Sequence, residues 1–468
     1  MITVNTGSLG WGVNENILAA YNFLVNNYSE GDQIFLFGFS RGSFTCRSLA
    51  GMICEFGILR QEMSGEWFAG IWDRYQGTVR DERWENERKQ LTWDVPIKVM
   101  GCWDTVGSLG IPEGWFTKLF AWNKKYAFHN TELSDSTSFL SRHLLRINLR
   151  GTEIENAFHV LALDERRGPF SPTLWYIPPS NKDERRRTHL RQCWFPGVHT
   201  DVGRGYSDHV PGDMADITFA WMVDQCIGHL SFREETLDWM MQHGDFKAPT
   251  TQKERDERRK KEVKAARWGM ADLHDSMKGL VAVLTGPKTR TPGQYAFKSQ
   301  YLVRDQRNGS WVRITGAANT SSEHETSMVT TSRDMGKATP PKTPWYKLFG
   351  AWLKGIFTRN SRDTPVQVYT SEYIHPCVRV RMLNDPTYDP PSLRGYTLVH
   401  HAEHDQWSWV KDWTAYDGTV HRTELLEYHI SDRSFAGMMV DRETLGYGER
   451  RDVTIPPRAT KKPWWKFW

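Results

Sequence analysis

Residues Gly38-Phe39-Ser40-Arg41-Gly42 match G-x-S-x-G, the pattern that seats a nucleophilic serine on a strained turn between a strand and a helix. Such a hydroxyl needs a base to take its proton and an acid to orient that base. Asp104 follows the apolar run PIKVMGCW at 96–103, and an acid at the end of a parallel strand is well placed to reach the site. His199 follows LRQCWF at 190–195 and lies between Gly197 and Gly203, an irregular loop in which a catalytic base can sit. Asp201 is either an alternative acid or the residue that holds the His199 loop. His129 and His159 are rival bases, and His159, inside the apolar run AFHVLAL at 157–163, reads as a satisfied core residue. Gly38 and Gly42 flank the serine so that the backbone can pass closely. The plainer readings are a turn serine at Ser40 and a helix N-cap at Asp104.

These residues need elements to position them. Residues 14–28 carry Ile17, Leu18, Tyr21, Leu24 and Val25 at helical spacing, and the continuous apolar run IFLFGF at 34–39 suits a strand covered on both faces. Phe44, Leu49, Ala50, Met52 and Ile53 predict a helix directly after the serine. A charged helix is expected over 79–90, strands over 96–103, 157–163 and 190–195, and a helix over 214–230. Helices alternating with buried strands predict an α/β fold with a mostly parallel sheet.

The texture changes near residue 246. A dense charge run fills 252–267, and 286–345 is rich in Thr, Ser, Pro, Lys and Gly. Alternation returns over 366–383 and suggests strands. The reading is therefore a catalytic unit over 1–245, a charged, low-complexity linker or partly disordered insertion over 246–365, and a small β-containing unit over 366–468 with an aromatic-basic tail.

Composition narrows the class. The 468 residues carry 60 basic and 56 acidic side chains, a net +4, which argues against a nucleic-acid binder working by bulk charge. Six scattered cysteines form neither a CxxC pair nor a zinc-spaced cluster, so no metal or disulfide framework is expected, and no cofactor motif is present. No signal peptide or spanning run is visible, and the expected location is cytoplasmic. WYKLFGAWLKGIF at 345–357 and the terminal WWKFW set aromatics beside lysines, a pattern suited to peripheral membrane contact. The 22 tryptophans serve either as cleft and interface residues or as large core fillers.

Four ordered blocks, GFSRG (38–42), CWDTVGSLGIP (102–112), AFHVLALDERRGPFSP (157–172) and WFPGVHTDVGRGY (194–206), resemble the α/β-hydrolase family called domain of unknown function 2235. That family includes the phospholipase effectors of bacterial type VI secretion, and GWGVNENI with IHPCVRVR (374–381) is similar to its fungal versions. The resemblance implies an α/β-hydrolase-like sheet, a Ser40–Asp104–His199 triad and hydrolysis of lipid or phospholipid esters through an acyl-enzyme.

Three departures stand out. Family members open with a strand ending in Asp-Gly-Thr, and this chain starts after that point, so the sheet is expected to lack its N-terminal strand and only the backbone N–H of Arg41 is assigned to an oxyanion hole. Residues 136–153 read as an insertion, and Arg204 stands where the family has glycine. The segment 115–130 is the expected cover of the site. The competing reading is a catalytically impaired scaffold that binds a protein or membrane.

Overall fold

A computed structural model describes residues 13–75, 87, 90–106, 154–175, 188–205, 212–233, 235–237, 268–278, 287–295, 302–304, 311–313, 370–414, 420–440 and 442–445. His129, the expected cover at 115–130, the segment 136–153, the charge run 252–267 and both aromatic-basic segments lie outside these residues.

The apolar runs become strands of one sheet. Ile34–Phe39 forms β1, Ile97–Trp103 β4, Ile154–Ala162 β5 and His189–Phe195 β6, all parallel neighbours in that order. Their side chains divide by alternation. Met100, Cys102 and Ala157 pack on one face beneath α1 (Val13–Asn27), α2 (Arg41–Phe56) and α3 (Ser64–Tyr75), with Ile17, Tyr21, Met52, Ile53 and Ile71 in that core. Val99, Phe158, Val160, Cys193 and Phe195 face the other way, onto Ile217, Trp221 and Met222. Those three come from the helix Met214–Cys226, whose N-terminus Asp213 caps through its side chain. Two short ribbons, β2 (Ile58–Leu59) with β3 (Thr92–Trp93) and β7 (Leu302–Arg304) with β8 (Trp311–Arg313), stand apart from the sheet.

The sheet continues past β6. Strand β9 (Glu372–Ile374) pairs parallel with β6, β12 (Val420–Glu427) pairs parallel with β9, and β11 (Gln406–Thr414) and β10 (Thr397–His401) complete it antiparallel. The result is a mostly parallel sheet with helices on both faces and a mixed extension, as the alternation of elements predicts. Strands 372–427 thus share a sheet with those before residue 245.

One expectation fails locally. Of the alternation over 366–383, the described residues form a strand at 372–374, and Pro376–Asn384 is a helix. Pro376 occupies its first turn, where a missing N–H costs nothing, and His375 caps it through its ring. The alternating Arg379 and Arg381 misled because both are buried, one on Glu427 and the other on the carbonyls of Gly269 and Ala271. The tryptophans follow the plainer reading in part, since Trp175, Trp194, Trp221 and Trp409 are among the largest fully buried side chains.

Candidate active site

Ser40 links β1 to α2 with φ 57° and ψ −118°, a conformation non-glycine residues avoid at a cost of about 1–3 kcal/mol. Its surroundings hold it there. Ser40 N–H donates to Trp103 O at 2.9 Å, and Ser43 Oγ donates to Gly38 O and, at 3.1 Å, to Trp103 O. A Cβ on Gly38 would lie 2.5 Å from the Gly42 carbonyl carbon, so residue 38 must be glycine for the turn to close. A Cβ on Gly42 would meet nothing within 4 Å among the described residues, so close passage requires only the first of the two glycines.

Asp104 follows β4 with φ 40°, and its N–H donates to Val160 O at 2.8 Å, tying the turn to β5. His199 follows β6 as the first residue of the short helix His199–Gly203, entered through Gly197 at φ 97°. The carboxyl ends of β1, β4 and β6 therefore converge on one place. His199 Nε2 lies 2.8 Å from Ser40 Oγ, and His199 Nδ1 lies 2.7 Å from Asp104 Oδ2. Asp104 is fully buried, His199 nearly so, and Ser40 part-exposed. The imidazole packs between the rings of Phe39 and Phe170, with centroids at 4.7 and 4.9 Å. Gly203 makes room for this, because a Cβ there would overlap the Phe39 ring.

The alternatives left open by the sequence separate cleanly. Asp201 accepts from Val198 N–H at 2.8 Å and pairs with His274 Nδ1 at 2.6 Å, so it holds the loop and does not meet the His199 ring. Its Cβ and carboxylate also fill the space beside Gly197 that a side chain there would need. His159 is fully buried, accepts from Thr105 N–H at 3.1 Å and pairs with Gln192 at 3.1 Å. Burial pushes it down to about 3, with the nearby Arg47 adding to that, which makes it the satisfied core residue expected. Arg204 adopts φ 62°, the left-handed region that favours glycine.

Two contributors escaped the sequence reading. Buried Glu165 accepts from the His199 N–H at 3.2 Å and is held by Arg167 at 2.8 Å; burial alone would raise its carboxyl, but the Arg167 bonds bring it below the usual range. Arg290, from the stretch read as a linker, is buried against Asp104, with Nη1 2.5 Å from Oδ1 and Nη2 2.9 Å from Oδ2. The string PKTRTPGQY around it has no periodicity, strand run or motif that distinguishes it from a loop.

A mostly parallel sheet flanked by helices, with a strained serine, an acid and a histidine at its strand ends, defines an α/β-hydrolase-like fold. Residues 1–225 match the family model described as the catalytic domain of the type VI secretion, Tle1-like phospholipase effectors, which bears out the resemblance carried by the four sequence blocks. The chain is also 30% identical over 175 residues to the uncharacterized protein YEL023C of Saccharomyces cerevisiae. That alignment covers 36% of this chain and 23% of the relative, so the chain spans about a quarter of the relative's length. No solved structure matches. Among the described residues no helix is long and apolar enough to cross a membrane.

Proposed function

We propose that this protein is a serine hydrolase of lipid or phospholipid esters, with Ser40 as nucleophile, His199 as general base and Asp104 as the acid that orients the ring. The observation that carries this reading is the unbroken pair of hydrogen bonds, 2.8 Å from Ser40 Oγ to His199 Nε2 and 2.7 Å from Nδ1 to Asp104 Oδ2. Asp104 accepting at Nδ1 fixes the tautomer that leaves the Nε2 lone pair facing the hydroxyl. On attack, the Ser40 proton passes to Nε2 while Oγ bonds to the ester carbonyl carbon. The tetrahedral oxyanion is met by the Arg41 N–H at the start of α2, where the first-turn amides and the helix dipole both favour negative charge. Collapse breaks the carbon–oxygen bond, and the leaving alcohol takes the proton back from His199. Water then enters by the same route in reverse, releasing the acid and regenerating Ser40. The lipid-ester class is supported by the match of residues 1–225 to a phospholipase catalytic domain.

The test is a fluorophosphonate probe, which forms an Oγ–P bond and expels fluoride when the serine is activated. Wild type is expected to be labelled and Ser40→Ala not, with fatty-acid release from phospholipid vesicles lost in the same variant. Labelling that survives in Ser40→Ala removes the assignment. A scaffold that only binds has no use for a strained serine hydrogen-bonded to a histidine, and no observation favours that reading.

A further inference from the structure

Asp104 sits in a space where burial alone would raise its carboxyl, yet it is held well below the usual carboxylate range by Arg290 and the His199 bond. Its two oxygens are fully used. Oδ1 accepts from Ala162 N–H at 3.0 Å and Arg290 Nη1 at 2.5 Å, and Oδ2 accepts from His199 Nδ1 at 2.7 Å and Arg290 Nη2 at 2.9 Å. The guanidinium also donates to Ala162 O at 2.5 Å and Phe170 O at 2.8 Å, and Phe170 is the ring that packs on His199. A planar fork meeting a carboxylate edge-on leaves that carboxylate one orientation.

Residues 287–295, which carry Arg290, are themselves held from both halves of the sheet. Lys288 N–H donates to Arg166 O at 2.7 Å. Tyr396 donates to Pro292 O at 2.6 Å, and Gly293 N–H donates to Glu372 at 2.8 Å. Tyr295 stacks on Trp194 with centroids at 5.9 Å. Gly293, at φ 69°, lies so close to β12 that a Cβ would sit 2.2 Å from Thr423 Cγ2. Tyr396, Glu372 and Thr423 all lie beyond the matched residues 1–225.

We infer that Arg290 is a positioning residue for the reaction proposed above, its guanidinium fixing the Asp104 carboxylate against His199 while the C-terminal strands hold the segment that delivers it. The inference rests on the serine-hydrolase reading. Its consequence is that the region after residue 225 completes the active site. Among the described residues, the Glu165–Arg167 pair lies behind the His199 backbone and the Asp201–His274 pair beside its loop. They remain in place when Arg290 is changed.

The experiment measures the fluorophosphonate labelling rate for full-length wild type, Arg290→Lys and Arg290→Met, with folding checked by circular dichroism. Arg290→Lys keeps the charge and loses the fork, and is expected to react about 10-fold more slowly. Arg290→Met loses both, and is expected to react about 100-fold more slowly, so that Arg290→Lys recovers about 10-fold of the loss. A wild-type rate in folded Arg290→Met, or an Arg290→Lys that reacts no faster than it, overturns the inference. If Arg290→Met does not fold, Arg290→Lys decides: a wild-type rate overturns the inference and the 10-fold loss sustains it. Wild type that is not labelled at all sinks the hydrolase reading and this inference with it, whereas labelling indifferent to residue 290 sinks only the inference.

Discussion

In the parallel half of the sheet, Arg290 grips both oxygens of Asp104; in the C-terminal half, Arg379 grips both oxygens of Glu427, at 2.8 to 3.1 Å. All four side chains are buried, and each guanidinium also donates to a backbone carbonyl, Ala162 and Phe170 for the first and Leu445 for the second. The carboxyls nevertheless move in opposite directions. Burial pushes Glu427 up and outweighs Arg379, whereas Asp104 falls because the His199 ring adds to what Arg290 supplies. Pairing a buried charge is therefore no sign of function by itself. What distinguishes Asp104 is that one of its oxygens also meets a histidine whose other nitrogen reaches a strained serine.

The sharpest way to break this comparison is to neutralise each carboxyl in turn. Asp104→Asn is expected to lower the fluorophosphonate labelling rate by about 10³–10⁴-fold, through loss of the correct tautomer. Glu427→Gln is expected to leave the rate per folded molecule unchanged, and an equal loss there would erase the contrast. Next comes stability. Arg379→Met leaves Glu427 buried and unpaired, so urea unfolding should show a loss of about 3–5 kcal/mol, with the pH profile of labelling unmoved. A shifted profile would tie the second pair to the site.

A smaller effect concerns pH, and here the two halves should behave alike. Burial holds His159 and His375 at about 3 against an ordinary 6.5. As pH falls from 6.5 toward 3, the unfolded chain takes up these protons and the folded chain does not. Their contribution is thus complete above 6.5 and lost on acidification, by about 1.4 kcal/mol per pH unit for each ring. His159→Gln and His375→Asn should each flatten the dependence of stability on pH, compared by urea midpoints at pH 5 and 7; an unchanged slope would mean that the ring is not the group taking up the proton. Smallest of all, Gly42→Ala is expected to shift stability by no more than about 1 kcal/mol and to leave labelling intact, whereas Gly38→Ala, with its Cβ against the Gly42 backbone, should abolish the turn. Loss of labelling in Gly42→Ala would show that the second glycine does more than its surroundings indicate.

Much of the parallel half was legible. The continuous apolar run at 34–39 suits a strand covered on both faces, the largely apolar runs at 96–103, 157–163 and 190–195 were expected to join it, and strand ends in such a sheet gather on one edge. Strand ends gathered in this way bring Ser40, Asp104 and His199 to one edge of the sheet. The C-terminal half was harder to read. Alternation over 376–381 signals a half-exposed strand only if the charged residues face water, and Arg379 and Arg381 face the interior. Asp104 and Asp201 could not be told apart either, because two carboxylates near a histidine differ only in where each one's lone pairs point.

What the sequence determined by itself is local: a tight turn flanked by two glycines, a serine on it, and apolar strands that carry an acid and a histidine to the same edge. What only the tertiary structure decided is which distant groups meet them. Arg290 reaches Asp104 across 186 residues from a stretch with no pattern of its own. A buried ion pair is specified by complementary charge at one point in space, and that point is fixed by the packing of the whole sheet, not by anything written beside either residue.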